Sequence, residues 1–470
     1  MLKILSRYVS LKTLLLLVSE VFWITGAMIG LANLYARYVR HWEPGVVDIP
    51  RIALRVALIT LICQVSLYYN DLYDLSVVNS RQEVLIRILQ SFGAACLVLF
   101  PLFWIFPKLV IGSSNMVATG VALGVLLLLG WRMLFTVAYR YYDRPSRVVV
   151  LGAGDLALDL VRAIQERSDL NMLVMGLVGA EAGEESNPAI EARGLRMLGT
   201  IADLETIAQE MGVNRVVVAM ADRRKKLPVR ALLNLKLHGV EIDDAWSLYE
   251  KVTGKIRTTE LPAGWLVFGE GFQQLSRKVR HKETVDFFLA LIAGVIALPV
   301  AAIVAVIVKL DSKGPILFRQ ERVGYKGALF QIIKFRTMRT DAEAIGGPQW
   351  STEHDPRITR AGRFLRKVRL DEIPQIWNVL RGEMSLVGPR AERQHFVDIL
   401  SQQLSYYAER HMVRPGITGW AQIRYAYGAS IEDSRQKLQY DLFYIKNLTL
   451  PLDLLIMFET VKIVIFGRGR

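Results

Sequence analysis

Cysteine is nearly absent from these 470 residues: only Cys63 and Cys96 occur, both inside apolar runs. Neither a disulfide framework nor a thiolate zinc site can be assembled from them, and redox chemistry is not expected. No small-residue cleavage site follows the basic start Met1–Lys12, so the beginning reads as a cytoplasmic tail and not as a removable leader. Internal repeats and low-complexity tracts are also lacking. Apolar residues, by contrast, are abundant: 52% of the chain is hydrophobic against 22% charged, with a mean hydropathy of +0.29. Several runs approach the ~20 residues that cross a bilayer, which marks a membrane protein. At roughly 100–200 residues per domain, the length allows about three units. The net charge of +14, from 58 basic and 44 acidic residues, suits anionic lipid or a phosphate-bearing substrate. No nucleic-acid partner is expected.

Four apolar segments fill the first third, at about Leu14–Ala36, Ile52–Tyr69, Ile86–Phe106 and Val117–Tyr139, giving a four-helix membrane region over 1–143. An even number of spans puts both ends on one side. Lys3, Arg7, Lys12, Arg81, Arg87, Arg140, Arg144 and Arg147 would then face the cytoplasm, against Arg37, Arg40, Arg51, Arg55 and Lys108 outside. After Arg144-Pro145 the pattern becomes α/β. A buried strand at Arg147–Gly152 is followed by a helix from Leu156 to about Arg167, with further strands at Met172–Val178 and Asn214–Met220. This alternation predicts a Rossmann-like parallel-sheet domain over 144–250, then a connector over 251–280.

A fifth apolar run, Val285–Val308, contains Pro299, which removes a backbone donor, and is flanked by Arg280, His281 and Lys282 on one side and Lys309 and Lys313 on the other. A re-entrant helix that breaks at Leu298-Pro299 and returns to the same face satisfies both observations. The alternative is a kinked fifth span. The whole of 281–470 carries 27 Lys/Arg against 19 Asp/Glu, as an enzyme at a membrane surface would. Arg357, Arg360, Arg363, Arg366 and Lys367 recur at helical spacing, either as a solvated face or as a stripe for lipid headgroups or phosphate. The tail Pro451–Phe466 suits a helix lying on the membrane.

Two motifs invite chemistry. Gly152-Ala-Gly154-Asp-Leu-Ala157 matches a dinucleotide turn, with Glu181 as a ribose partner at longer spacing than usual, but no Tyr-x-x-x-Lys pair follows. Cofactor binding, as in a membrane sugar-nucleotide oxidoreductase, and a plain strand–helix turn both remain open. The denser signal runs from Lys334-Phe-Arg336 through Arg366, Asp371-Glu372-Ile-Pro374, Gly388-Pro389-Arg390 and Arg414-Pro-Gly-Ile-Thr-Gly-Trp420. Ile373, Ile376, Trp377 and Leu380 fall at helical spacing and Gly382 is a natural stop, so two carboxylates sit at a helix start. A lone Asp-Glu pair there would be a cap. Amid Lys334, Arg336, Arg366, Arg390 and Arg414, it suits a site holding a nucleotide diphosphate together with a divalent ion.

On these residues the part from His281 onward resembles the bacterial sugar transferase family, the monotopic phosphoglycosyl transferases. The spans and the α/β domain resemble its long form, the polyprenyl-phosphate hexose-1-phosphate transferases. Tyr249-Glu-Lys-Val-Thr-Gly-Lys255, Trp265 and Gly271-Phe272 resemble the exosortase-associated subgroup. Ala391 departs from the proline the family commonly has there. The resemblance implies transfer of a sugar-1-phosphate from a UDP-sugar to polyprenyl phosphate with release of UMP, at the cytoplasmic face of a bacterial inner membrane, as a first step of exopolysaccharide or O-antigen assembly. It implies Asp371 as nucleophile, Glu372 with Asp371 as ligands of Mg²⁺, and Lys334, Arg336, Arg366 and Arg390 as phosphate contacts. It also implies the helix break at Leu298-Pro299 and a possible homodimer. A piece beginning near Arg280 is expected to keep activity.

Overall fold

The computed structural model describes residues 11–38, 49–73, 81–106, 114–142, 145–179, 194–220, 226–261, 271–272, 275–340, 355–425, 428 and 430–466. Lys3, Arg7, Arg40, Lys108, Arg144, Glu181 and Trp265, used in the sequence reading, lie outside them. The chain divides into two compact units, Met1–Leu248 and Tyr249–Arg470.

The first unit opens with α1 (Leu11–Tyr38), α2 (Ile49–Tyr69), α3 (Arg81–Ile105) and α4 (Ser114–Tyr142), one for each apolar segment. Each packs on two of the others, so the four close into a ring. Among the described residues, α1 and α3 are long and apolar enough to cross a membrane, whereas α2 and α4 offer shorter apolar stretches, Ala53–Tyr69 and Leu123–Phe135. The bundle core is apolar, with Leu16, Val56, Leu67, Ile88 and Leu128 buried. It also holds an ion pair that sequence reasoning missed: Arg132 Nε donates to Glu20 Oε1 at 2.6 Å, and Glu20 is wholly buried. Tyr73 donates its hydroxyl to Glu20, and Arg132 Nη1 donates to Leu72 O at 2.9 Å. Unpaired, either charge would be costly in lipid.

The α/β part follows as β1 (Ser146–Leu151), α5 (Asp155–Gln165), β2 (Met172–Gly179), β3 (Met197–Thr200), α6 (Leu204–Glu210), β4 (Arg215–Val218), α7 (Val229–Leu237) and β5 (Glu241–Asp244). The sheet is parallel, in the order β3-β2-β1-β4-β5. Val148, Val149 and Val150 in the central strand are all fully buried, as expected of a parallel sheet covered on both faces. The sequence reading found β1, β2, β4 and α5 but not the four-residue strands β3 and β5.

The second unit receives the end of α8 (Ala245–Thr253) and continues with α9 (Leu275–Asp311), β6 (Leu317–Val323), β7 (Leu329–Phe335), α10 (Arg360–Lys367), α11 (Gln375–Leu380), β8 (Ser385–Val387), α12 (Gln394–Gln403), β9 (Gly416–Thr418), α13 (Trp420–Arg424), α14 (Ile431–Lys446) and α15 (Leu450–Phe466). β6 and β7 form an antiparallel hairpin, and β8 pairs with β9 in parallel. α9 is longer than the apolar run it contains: 37 residues would extend about 56 Å if straight. The helix continues through Pro299, so the expected interruption at Leu298-Pro299 does not divide it into two elements. A proline removes a single donor, and the turns on either side retain theirs.

One stripe of α9, comprising Lys282, Asp286, Ala290, Val304 and Val308, is buried. Ala290 packs with Ile332, Val379 and Met384, and Val304 and Val308 pack with Phe335 and Leu365. The opposite side exposes Phe287, Phe288, Leu291, Ile292, Val295, Leu298, Ile303, Val306 and Leu310. Both ends are tied to the polar body of the same unit. Lys282 Nζ donates to Asp453 Oδ2 at 2.7 Å, and Ala361 N donates to Asp311 Oδ2 at 3.2 Å.

Candidate active site

Asp371 and Glu372 lie in a single 3-10 turn, Leu370–Glu372, immediately before α11. Arg369, just ahead of it, takes a left-handed backbone (φ 54°), uncommon for a side chain of this size. That reversal turns the chain from α10 into the short turn and buries Asp371. Pro374 then sits at the N-cap of α11, where a missing N–H costs nothing.

Glu372 is met by two cations. Lys334 Nζ donates to its Oε1 at 3.0 Å, and Arg369 Nη1 lies 3.5 Å from its Oε2. Lys334 comes from β7, and Asn378 sets its position relative to the carboxylates. Fully buried in α11, Asn378 accepts from Ile333 N at 3.1 Å and donates to Gln331 O at 2.8 Å and Glu383 Oε2 at 2.7 Å. The strand carrying the lysine and the helix following the carboxylates are thereby locked together.

Electrostatics separates the two acids. Burial, and next the neighbouring Glu372 charge, push Asp371 above the ordinary carboxylate range, with Lys334 and Arg366 opposing. For Glu372, burial also acts upward, but Lys334, Arg369 and Arg390 outweigh it and hold the group well below its usual range. Lys334 itself is lowered, by burial first, against the pull of Glu372. The two acids thus sit in different surroundings, Asp371 enclosed and Glu372 paired with two cations.

The remaining expected residues divide. Arg366 bears electrostatically on Asp371, and its Nε donates to Thr337 Oγ1 at 2.9 Å. Arg390 bears on both Lys334 and Glu372. Arg336 and Arg414, by contrast, are directed to the two ends of α9. Arg336 Nη2 donates to Ser312 O at 2.7 Å, and Arg414 Nη2 lies 3.3 Å from Glu283 Oε1. Leu298 is 70% exposed on the apolar side of α9.

β8 and β9 approach so closely that glycine is required at the crossing. A Cβ on Gly388 would lie 2.4 Å from Arg414 O, and one on Gly416 would lie 2.1 Å from Gly388 N. Below this crossing lies a buried polar cluster absent from the sequence reading. Lys282 Nζ lies 3.1 Å from Asp286 Oδ2, Ser385 Oγ donates to Asp286 Oδ2 at 2.5 Å, and Tyr444 Oη donates to Asp453 Oδ1 at 2.7 Å.

Two carboxylates together are donors suited to Mg²⁺, which is commonly bound by one or two carboxylates plus substrate phosphates. Among the described residues no group of three or more His, Cys, Asp or Glu side chains is assembled. At the Gly152–Ala157 turn, α5 starts from an N-cap Gly154 without a side-chain cap, and Asp155 adds a negative charge to its first turn. That charge disfavours an anionic phosphate at this helix start.

Comparison with known proteins places residues 277–467 in the family described as bacterial sugar transferase and residues 69–242 in one described as CoA-binding domain. The UDP-N-acetylgalactosamine-undecaprenyl-phosphate N-acetylgalactosaminephosphotransferase of Aeromonas hydrophila is 45% identical over 188 residues, 40% of this chain and 44% of that protein. The undecaprenyl-phosphate glucose phosphotransferase of Komagataeibacter xylinus is 32% identical over 337 residues, 69% of this chain and 60% of that one. The exopolysaccharide production protein PSS of Rhizobium leguminosarum bv. phaseoli is 39% identical over 188 residues, which are 38% of this chain and 92% of that relative. The chain thus spans about half the length of the first two relatives and nearly all of the third.

Proposed function

This chain belongs to the bacterial sugar transferase family, and on that premise we propose that it is a phosphoglycosyl transferase moving a hexose-1-phosphate from a UDP-sugar to a polyprenyl phosphate. The relatives' names speak of undecaprenyl phosphate as acceptor and of both glucose and N-acetylgalactosamine as the sugar, so the donor is a UDP-hexose of unspecified identity. The observation that carries the reading is the Asp371–Glu372 pair in one turn, Asp371 buried and Glu372 held by Lys334 and Arg369, with the charges of Arg366 and Arg390 bearing on it.

In this mechanism the Asp371 carboxylate attacks the sugar-linked phosphorus of the donor. A bond forms between carboxylate oxygen and phosphorus, the bond from that phosphorus to the bridging oxygen breaks, and UMP leaves with the oxygen. A phosphate oxygen of the polyprenyl acceptor then attacks the same phosphorus. The aspartyl–phosphorus bond breaks, and the carboxylate is regenerated. Glu372, fixed by Lys334 and Arg369, stays ionised throughout. Arg366 and Arg390 offset the repulsion between an anionic nucleophile and two anionic substrates. Asp371 and Glu372 would hold a Mg²⁺, which supplies further neutralisation of the diphosphate.

A lipid acceptor requires a site at the headgroup boundary. The attachment of both ends of α9 to one polar body, with an apolar outer side between them, supports a helix that dips into one leaflet and returns. α10 adds exposed Arg360, Arg363 and Lys367 around Phe364, itself 62% exposed, a combination suited to an anionic headgroup layer.

The test is a single-substrate incubation of the enzyme in membranes with a panel of UDP-sugars and no acceptor. One donor should release UMP in amounts stoichiometric with enzyme and leave its sugar phosphate on the protein, and Asp371→Asn should abolish both. UMP release that strictly requires the acceptor, with no adduct by mass spectrometry, would remove the covalent step.

A further inference from the structure

Four consecutive carbonyl groups in the loop after β8 are each occupied by a donor from elsewhere in the unit. Pro389 O accepts from Gly416 N at 2.9 Å, and Arg390 O accepts from Arg410 Nη2 at 3.0 Å. Ala391 O accepts from Arg322 Nη1 at 3.1 Å, and Glu392 O accepts from Val323 N at 2.9 Å. Loop carbonyls are ordinarily satisfied by water. Here two of the four are held by guanidinium groups, one of them buried.

Arg410 is itself fixed on three further sides. It donates through Nη2 to Asp441 Oδ2 at 2.9 Å and through Nη1 to Tyr407 Oη at 2.5 Å, and it lies 5.0 Å from the centre of the Tyr407 ring. Asp441 belongs to the middle of α14 and Arg322 to β6, so the loop is gripped from two independent elements. The side chain of the residue so held, Arg390, is exposed, and its charge acts on Lys334 and Glu372.

We infer that Arg410 and Arg322 are positioning residues, which pin the backbone of the Pro389–Glu392 loop so that Arg390 reaches the donor diphosphate from a fixed base. The inference rests on the transferase reading above. Neither residue touches substrate; both act through Arg390. Lysine keeps the charge at either position but cannot reproduce the fork that grips a carbonyl and a second acceptor together.

The experiment is a double-mutant cycle on the full-length enzyme in lipid nanodiscs, reading kcat/KM for the UDP-sugar and the melting temperature of every variant. Arg410→Lys should lower kcat/KM by about 10–100-fold, as supporting residues commonly do. In an Arg390→Ala background it should cost no more than about twofold further, because a group acting through another has nothing left to position. The same reduction in both backgrounds would overturn the inference, marking Arg410 as a general stabiliser; so would an Arg410→Lys enzyme that turns over like the parent. If that variant does not fold, Arg322→Lys, at the less buried of the two grips, carries the identical cycle. Failure of the transferase reading is seen separately, as unmodified protein releasing no UMP from any UDP-sugar, and the cycle is then read as UDP-sugar affinity by calorimetry.

Discussion

Replacing Lys282 by methionine isolates the buried polar cluster beside β8. The side chain is enclosed and serves two carboxylates at once, Asp453 at 2.7 Å and Asp286 at 3.1 Å. Methionine preserves much of the volume but leaves two acids in a space that water does not reach. Breaking a buried pair by removing one partner costs about 3–5 kcal/mol. For a unit of this size, that is a fall in melting temperature of about 6–20 °C. Asp453 already lies above the usual carboxylate range, because burial outweighs Lys282. Without the ammonium, the native state holds its carboxyl protons to still higher pH than the unfolded chain does. The folded form then binds more protons across that window, so Lys282→Met must gain stability as pH falls and lose it as pH rises. Adding Asp453→Asn removes one uncompensated charge and should recover a large part of the loss. Thermal unfolding in detergent between pH 5 and 8 reads all three quantities. A single variant melting within about 2 °C of the parent at pH 7.5, or an Asn that recovers nothing, would refute the reasoning.

Asp371→Asn should abolish turnover yet raise stability by about 1–2 kcal/mol at neutral pH, since burial penalises the charged carboxylate in the native state; this is checked by UMP release beside a denaturant melt. In the unmodified enzyme, kcat/KM should fall as pH drops through the raised Asp371 pKa, with an inflection above the ordinary ~3.9 of an aspartate, in a pH–rate profile. Gly388→Ala places a methyl group within 2.4 Å of Arg414 O, so it should separate β8 from β9 and lose both activity and a cooperative melt. A piece starting at Tyr249 should melt well above one starting at Arg280. Only the longer one keeps the Glu250–Lys446 pair at 2.6 Å, the Trp420 Nε1 bond to Gly254 O at 2.7 Å and the Ile256 N bond to Gln439 O at 3.0 Å. Equal melting of the two would show the segment to be a passive linker.

The carboxylates, their helix start and the basic company of Lys334, Arg366 and Arg390 were legible because they occur within short motifs whose residue types state their chemistry. Arg336 and Arg414 belong to the same motifs, yet they point to the ends of α9. Charge in a sequence carries no direction, and the backbone that aims each side chain is set by partners far away. Asn378 was visible only as one letter of a helix; its role depends on β7, 45 residues earlier. Lys282 and Asp453 are 171 residues apart, each resembling an ordinary surface residue at the edge of an apolar run. The strands β3 (Met-Leu-Gly-Thr) and β5 (Glu-Ile-Asp-Asp) escaped notice because neither carries the valine run that marks the equally short β4. Pro299 illustrates the reverse case, a strong local signal for a break standing inside a helix that runs on through it as one element.

The Glu20–Arg132 pair has a consequence for biogenesis. A lone charge deep in a spanning helix adds up to about 3 kcal/mol to its insertion. α1 emerges from the ribosome carrying its carboxylate 112 residues before the guanidinium that neutralises it. The first helix therefore meets the hydroxyl of Tyr73 well before the guanidinium of Arg132, and its carboxylate gains a cationic partner only once the fourth helix has been made.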